Sequence, residues 1–229
     1  MTLDQPQRRV VAYVAPLVVY LVGTAIAGRF EGAGYAMAYT AVVLVVAALC
    51  LMLRREMVDL RPHFQVLPGL VVGVGGIISW IVLSRLGIEQ FVGELLPTFL
   101  RPAERPAFVP WEELPREAAM GFLATRIVGL AVLVPVAEEL FWRGFLLRWW
   151  VDPDWQRVPL GTFTWGSCAG VTLLFAAAHP EWVAAAIYCL LVNGLLYWKH
   201  DLWQCVTAHA TSNLLLAAYI LWTKAWWLW

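Results

Sequence analysis

Seven apolar stretches, each long enough to cross or nearly cross a bilayer, constrain this chain more than any other feature of its sequence. A membrane helix needs about 20 mostly apolar residues. Such runs extend over about Val10–Ala27, Tyr35–Leu53, Val66–Leu83, Gly121–Trp150, Thr162–His179, Trp182–Trp198 and Leu202–Trp222. In lipid every backbone N–H and C=O must find a partner within the protein, so the fold open to such runs is a helical bundle. The expectation is an all-α, polytopic membrane protein of about seven to eight membrane helices in one bundle. Charge agrees, because only 14% of residues are charged against about 25% in soluble domains.

The chain divides into N-terminal helices (1–85), a polar proline-rich loop (86–117) and a second group of helices (118–229), read together as a single integral membrane domain. The stretch "RPAERPAFVPWEELPRE" carries Pro102, Pro106, Pro110 and Pro115, and proline at that density ends helices. The preceding "IEQFVGELLPTFL" suits a short amphipathic helix lying along the interface. Arg8 and Arg9 precede an apolar run as in a signal peptide, but no small-residue cleavage site follows, so the run reads as a retained first helix.

With the N-terminus cytoplasmic and seven spans alternating, that side receives Arg8, Arg9, Arg54, Arg55, Arg61, Arg148, Arg157 and Lys199. The other side receives Arg29, Arg85, Arg101, Arg105, Arg116 and Lys224, a modest positive-inside bias. Trp149, Trp150, Trp155, Trp165, Trp198 and Trp203 fall where this topology puts the cytoplasmic interface. Net charge is zero and there is no basic patch, so no nucleic-acid partner is indicated; the partner implied by composition is the lipid bilayer. The four cysteines stand apart in apolar runs and read as buried, inert thiols.

Against this background "AEELFWRGFLLRWW" (137–150) stands out. An ionisable group inside a span costs about 2.5–3.5 kcal/mol even on the lenient insertion scale, and such groups are usually functional. Glu139 and Arg143 are at i,i+4 and share a helix face, so they can pair. Glu138 points about 100° away and is left free to act. The bland alternative is a structural Glu–Arg clamp. Two more polar clusters fall inside spans: Phe175 with His179 and His209 with Asn213, each at i,i+4. Measured from the flanking interfacial residues, Glu138 and His209 lie at matching depths of about 15–16 Å, and His179 at about 21 Å.

The ordered series EExxxR (Glu138, Glu139, Arg143), FxxxH (Phe175, His179) and HxxxN (His209, Asn213) on successive apolar helices resembles the CPBP family. That family comprises the type II CAAX prenyl proteases and the bacteriocin-processing or Abi proteins. The wording "VPVAEELFWRGFLLRW" also resembles a CAAX-protease-related subgroup associated with exosortase systems. The resemblance implies an intramembrane endopeptidase in a bacterial cytoplasmic membrane, acting on a membrane-associated protein or peptide. It implies Glu138 as the base that activates water, with His179 helping to orient that water. Glu139 and Arg143 would fix the helix, and His209 and Asn213 would offer donors to the oxyanion. No cofactor is implied in this reading. The zinc-dependent alternative would use Glu138, His179 and His209 as ligands, although HExxH spacing is absent. From another class, a non-catalytic scaffold or immunity protein remains as the competing reading; a degenerate relative would be expected to have lost one of these residues.

Overall fold

The helices follow from the apolar runs, but their ends follow from caps and prolines. The computed structural model describes residues 4–88, 91 and 107–228. The first helix, α1 (Gln5–Ala27), opens on a capping box in which Asp4 and Gln7 satisfy each other's backbone N–H groups. Next come α2 (Gly32–Leu53) and α3 (Leu67–Arg85), the latter with a proline in its first turn. Pro115 caps the long α4 (Arg116–Val151), which therefore begins at the end of the proline-rich stretch. A single helical turn at Pro110–Glu113 precedes it. The expected interfacial helix at 88–100 falls almost wholly outside the described residues. The chain ends in α5 (Trp165–Ala177), α6 (Trp182–Lys199) and α7 (Leu202–Thr223).

Six of these helices are long and apolar enough to cross a membrane, which makes the chain a polytopic helical membrane protein. The exception is α5. Its 13 residues reach only about 20 Å, short of the roughly 30 Å hydrocarbon core. The run Thr162–His179 is thus a helix shorter than expected from its apolarity. Thr164 takes the N-cap position and accepts from the Ser167 N–H, and Pro180 lies just beyond the far end, so both limits are set by polar and imino residues.

The helices alternate in direction. At one end, Gln156 bonds to Arg9 and to the Pro6 carbonyl, Asp59 pairs with Arg148 at 2.5 Å, and His63 meets Asp201 at 2.7 Å. The start of α1, the 54–66 loop, the end of α4 and the start of α7 therefore share that end. Trp155, expected as an interfacial anchor, is instead 4% exposed. It packs on Tyr13 at 4.9 Å and under the Arg148 guanidinium at 4.8 Å, because the clamp around Asp59 needs an aromatic floor. Cys168, Cys189 and Cys205 are buried and Cys50 is partly so, and all are free thiols.

The closest helix pair is α3 with α7, and its cause is a stripe of glycines. A Cβ built on Gly73 would lie 2.5 Å from the Ala208 carbonyl oxygen, and one on Gly69 would lie 2.6 Å from that of Gln204. Small residues let membrane helices meet backbone to backbone. Gly73→Val should therefore lower stability by about 1–3 kcal/mol, as overpacking does, read as a fall in melting temperature in detergent. Gly75, whose Cβ position meets nothing within 4 Å, supplies the control: Gly75→Val should change little. Equal shifts for the two variants would contradict the close-packing account.

Candidate active site

The polar residues of the spans gather because α4 is not a uniform α-helix. Two wide π-type segments, Gly129–Leu133 and Leu140–Leu146, flank the short α-helical piece Val134–Glu139. Pro135 lacks an N–H, and its ring would collide with the carbonyl four residues earlier, at Ala131. The wider turn removes that collision, and such bulges are frequent at functional sites. The piece between them carries Glu138 and Glu139 inward, 8% and 0% exposed.

Glu139 sits at the centre of a buried network that holds it through one of its two oxygens, Oε2 having no hydrogen-bond partner among the described residues. Its Oε1 accepts from Arg143 Nη1 at 3.1 Å, the i,i+4 pair, and also from His209 Nδ1 of α7 at 2.8 Å. The wholly buried Arg143 is saturated in turn. Its Nε donates to Asn193 Oδ1 at 3.0 Å, its Nη2 donates to the Cys189 carbonyl at 3.3 Å, and its guanidinium lies 5.1 Å from the Phe175 ring centre. A charge this deep is tolerable only when paired and fully hydrogen-bonded.

Phe175 is shared between two polar groups. Its other neighbour is His179, whose ring stacks on it at 4.5 Å and 25°. His179 Nδ1 lies 2.7 Å from the Phe175 carbonyl oxygen. A carbonyl only accepts, so Nδ1 carries the hydrogen and, in the neutral ring, Nε2 keeps a lone pair. Trp80 holds the histidine edge-on at 5.7 Å.

Glu138 differs from its neighbour in lining a cavity and in making no hydrogen bond or ion pair among the described residues. Glu139, whose Oε2 is also unpartnered, is held through Oε1 and does not line that cavity. Glu138 Oε2 is buried without a hydrogen-bond partner among the described residues. The cavity, of about 530 Å³, is also lined by His179, His209 and Asn213. The structure thus puts Glu138, His179, His209 and Asn213 around one space and sets Glu139 and Arg143 behind it. Asn213 and His209 are not both free donors, however. Asn213 Nδ2 donates to the Leu130 carbonyl at 2.8 Å, and His209 is tied to Glu139. The π-type segment Gly129–Leu133 supplies the carbonyl that Asn213 holds.

Among the described residues no group of three His, Cys, Asp or Glu side chains is placed to share a metal ion. The alternative ligand trio Glu138, His179 and His209 does not meet as such a group.

Sequence reasoning missed two neighbours of this site and one contact within it. Asn193, fully buried, was legible as an amide inside an apolar helix. Tyr188, 3% exposed and edge-on to His209 at 5.7 Å, looked like ordinary core. The Glu139–His209 contact joins residues 70 apart, and no spacing rule could reveal it.

Residues 120–215 match the family described as type II CAAX prenyl endopeptidase Rce1-like. No curated protein and no solved structure matches the chain. The matched segment contains all seven residues of the three motifs.

Proposed function

With residues 120–215 matching a family of membrane CAAX endopeptidases, we propose that this protein hydrolyses a peptide bond of a membrane-associated protein or peptide, using water activated by Glu138. The observation that carries the reading is the contrast between two adjacent carboxylates. Glu139 is held through Oε1 by both Arg143 and His209 and does not line the cavity. Glu138 faces the shared cavity with an unpartnered oxygen.

In this mechanism Glu138 takes a proton from a water as the water oxygen attacks the carbonyl carbon. The C=O π bond opens to an oxyanion. The protonated Glu138 then delivers that proton to the amide nitrogen as the oxyanion re-forms the C=O bond and the C–N bond breaks, giving a carboxylic acid and an amine. His179 Nε2 accepts a hydrogen bond from the same water and aims its lone pair. Asn213, through its remaining N–H, stabilises the oxyanion. Glu139 and Arg143 keep the α4 segment and its charge in place. The mostly apolar cavity wall, with Trp80, Trp142 and Phe175, limits competing water. The basic residues at the α1-start end argue for that end being cytoplasmic, in a bacterial inner membrane as the resemblance implies.

The test is cleavage by the purified protein in phospholipid vesicles, using a library of N-palmitoylated peptides and mass spectrometry of the products. New carboxyl and amino termini are expected, and the rate should survive exhaustive chelation unchanged. Stoichiometric zinc whose removal abolishes cleavage would move the assignment to a metallopeptidase. No cleavage of any peptide would remove the peptidase reading.

A further inference from the structure

The oxyanion needs more donors than HxxxN leaves available. Glu139 is held by Arg143 as a carboxylate, which only accepts, so the hydrogen between it and His209 belongs to His209 Nδ1. In the neutral imidazole, Nε2 then bears a lone pair and cannot donate. Asn213 has one of its two N–H bonds occupied by the Leu130 carbonyl. With the His209 imidazole neutral, one N–H remains from the motif, whereas stabilising a tetrahedral intermediate commonly takes two donors.

On α6, Tyr188 lines the same cavity and is 3% exposed. Its ring is held on three sides, edge-on to His209 at 5.7 Å and to Trp80 at 6.0 Å, and with its Cδ2–Cε2 edge against α3 at Gly76. A Cβ at Gly76 would lie 2.6 Å from Tyr188 Cε2, so the missing side chain makes the space for the ring. Its hydroxyl lies beside Ser212. Ser212 already donates toward the Gly73 and Ala208 carbonyls at 2.8 and 3.1 Å, and the Tyr188 hydroxyl is buried without a hydrogen-bond partner among the described residues. A buried, unsatisfied hydroxyl is costly, and a fixed one beside a reacting centre is a preorganised donor.

We propose that Tyr188 is a catalytic residue whose O–H donates to the oxyanion alongside the remaining N–H of Asn213. This role rests on the peptidase reading. Tyr188 keeps its proton throughout and forms no covalent bond; it stabilises charge only as the carbonyl oxygen becomes negative. His209 is then a positioning residue that ties Glu139 to α7, and Gly76 is the residue that admits the ring.

The experiment uses the fastest-cleaved N-palmitoylated peptide of the library and a phosphinate analogue of its cleaved bond, with full-length protein in vesicles. Tyr188→Phe should lower kcat by about 10²–10³-fold, the usual effect of losing one oxyanion donor. KM should stay within about threefold, because the ground-state carbonyl is not what the hydroxyl binds. The phosphinate Ki should rise by the factor by which kcat/KM falls. Melting temperature should hold or rise, since no completed hydrogen bond is removed. A kcat within about threefold of wild type, an unchanged Ki or a loss carried by KM or by unfolding would each overturn the assignment. Glu138→Gln in the same assay separates the two claims. If Glu138→Gln is inactive and Tyr188→Phe is not impaired, only the role of Tyr188 fails. If Glu138→Gln cleaves at the wild-type rate, the peptidase mechanism fails and the oxyanion hole fails with it.

Discussion

Glu138→Gln is expected to lower peptide cleavage by the purified protein at least about 10³-fold, a loss of more than about 4 kcal/mol of transition-state stabilisation. Glutamine has the size and reach of glutamate but cannot take up a proton from water. Stability should not fall. Glu138 has no ion-pair partner among the described residues and one buried oxygen without a hydrogen bond, so the substitution breaks no ion pair there. Thermal unfolding in detergent should show an equal or slightly higher midpoint. Binding of the N-palmitoylated peptide should persist, because the cavity keeps its shape. A variant that retains the wild-type rate would leave the role of base without a residue, as Glu139 is already engaged on one oxygen by two cations or donors.

Arg143→Ala should produce the largest loss of stability. The change leaves the Glu139 carboxylate, 0% exposed, facing only His209. It also empties the space between Asn193, Cys189 and Phe175. Removing one partner of a buried pair costs about 3–5 kcal/mol, so a sharp fall in folded yield and melting temperature is expected, with activity lost alongside. The conservative Arg143→Lys should fall between, keeping the charge but losing the fork that reaches three acceptors. The double change Arg143→Met with Glu139→Gln discriminates further. It should recover much of the stability by removing both charges while leaving cleavage impaired, because the tie from α4 to α7 through Glu139 is weakened. Full stability in Arg143→Ala would show that the network is ornamental to the fold.

What could be read from the sequence divides along physical lines. Apolar length is a local property, and α1 to α4, α6 and α7 follow it. Helix i,i+4 relations are also local, so the Glu139–Arg143 pair and the Phe175–His179 stack were visible as spacings. The limits of α5 were not, because capping by Thr164 and the approach of Pro180 count for more than eighteen apolar-looking residues. The π-type segments left a trace in Pro135 that apolar periodicity hides. Contacts between helices had no local signature. The bond from His209 to Glu139, the seat of Tyr188 against Gly76 and the Asn213 bond to Leu130 depend on how α3, α4, α6 and α7 pack. The glycines of α3 could have pointed to its close approach to α7, since small residues spaced by four, Gly69 and Gly73, mark close membrane contacts.

The central claim is that Glu138 makes this protein a peptidase within the membrane. Its most direct test compares membrane-associated peptides from three strains of the native host, carrying the wild-type chain, no chain, or Glu138→Gln at equal abundance. Quantitative mass spectrometry should find the same uncleaved precursors accumulating in the deletion and in the Glu138→Gln strain, with their products present only in wild type. A Glu138→Gln strain whose peptide profile matches wild type, while the deletion differs, would contradict the account and assign the protein a role that needs no base.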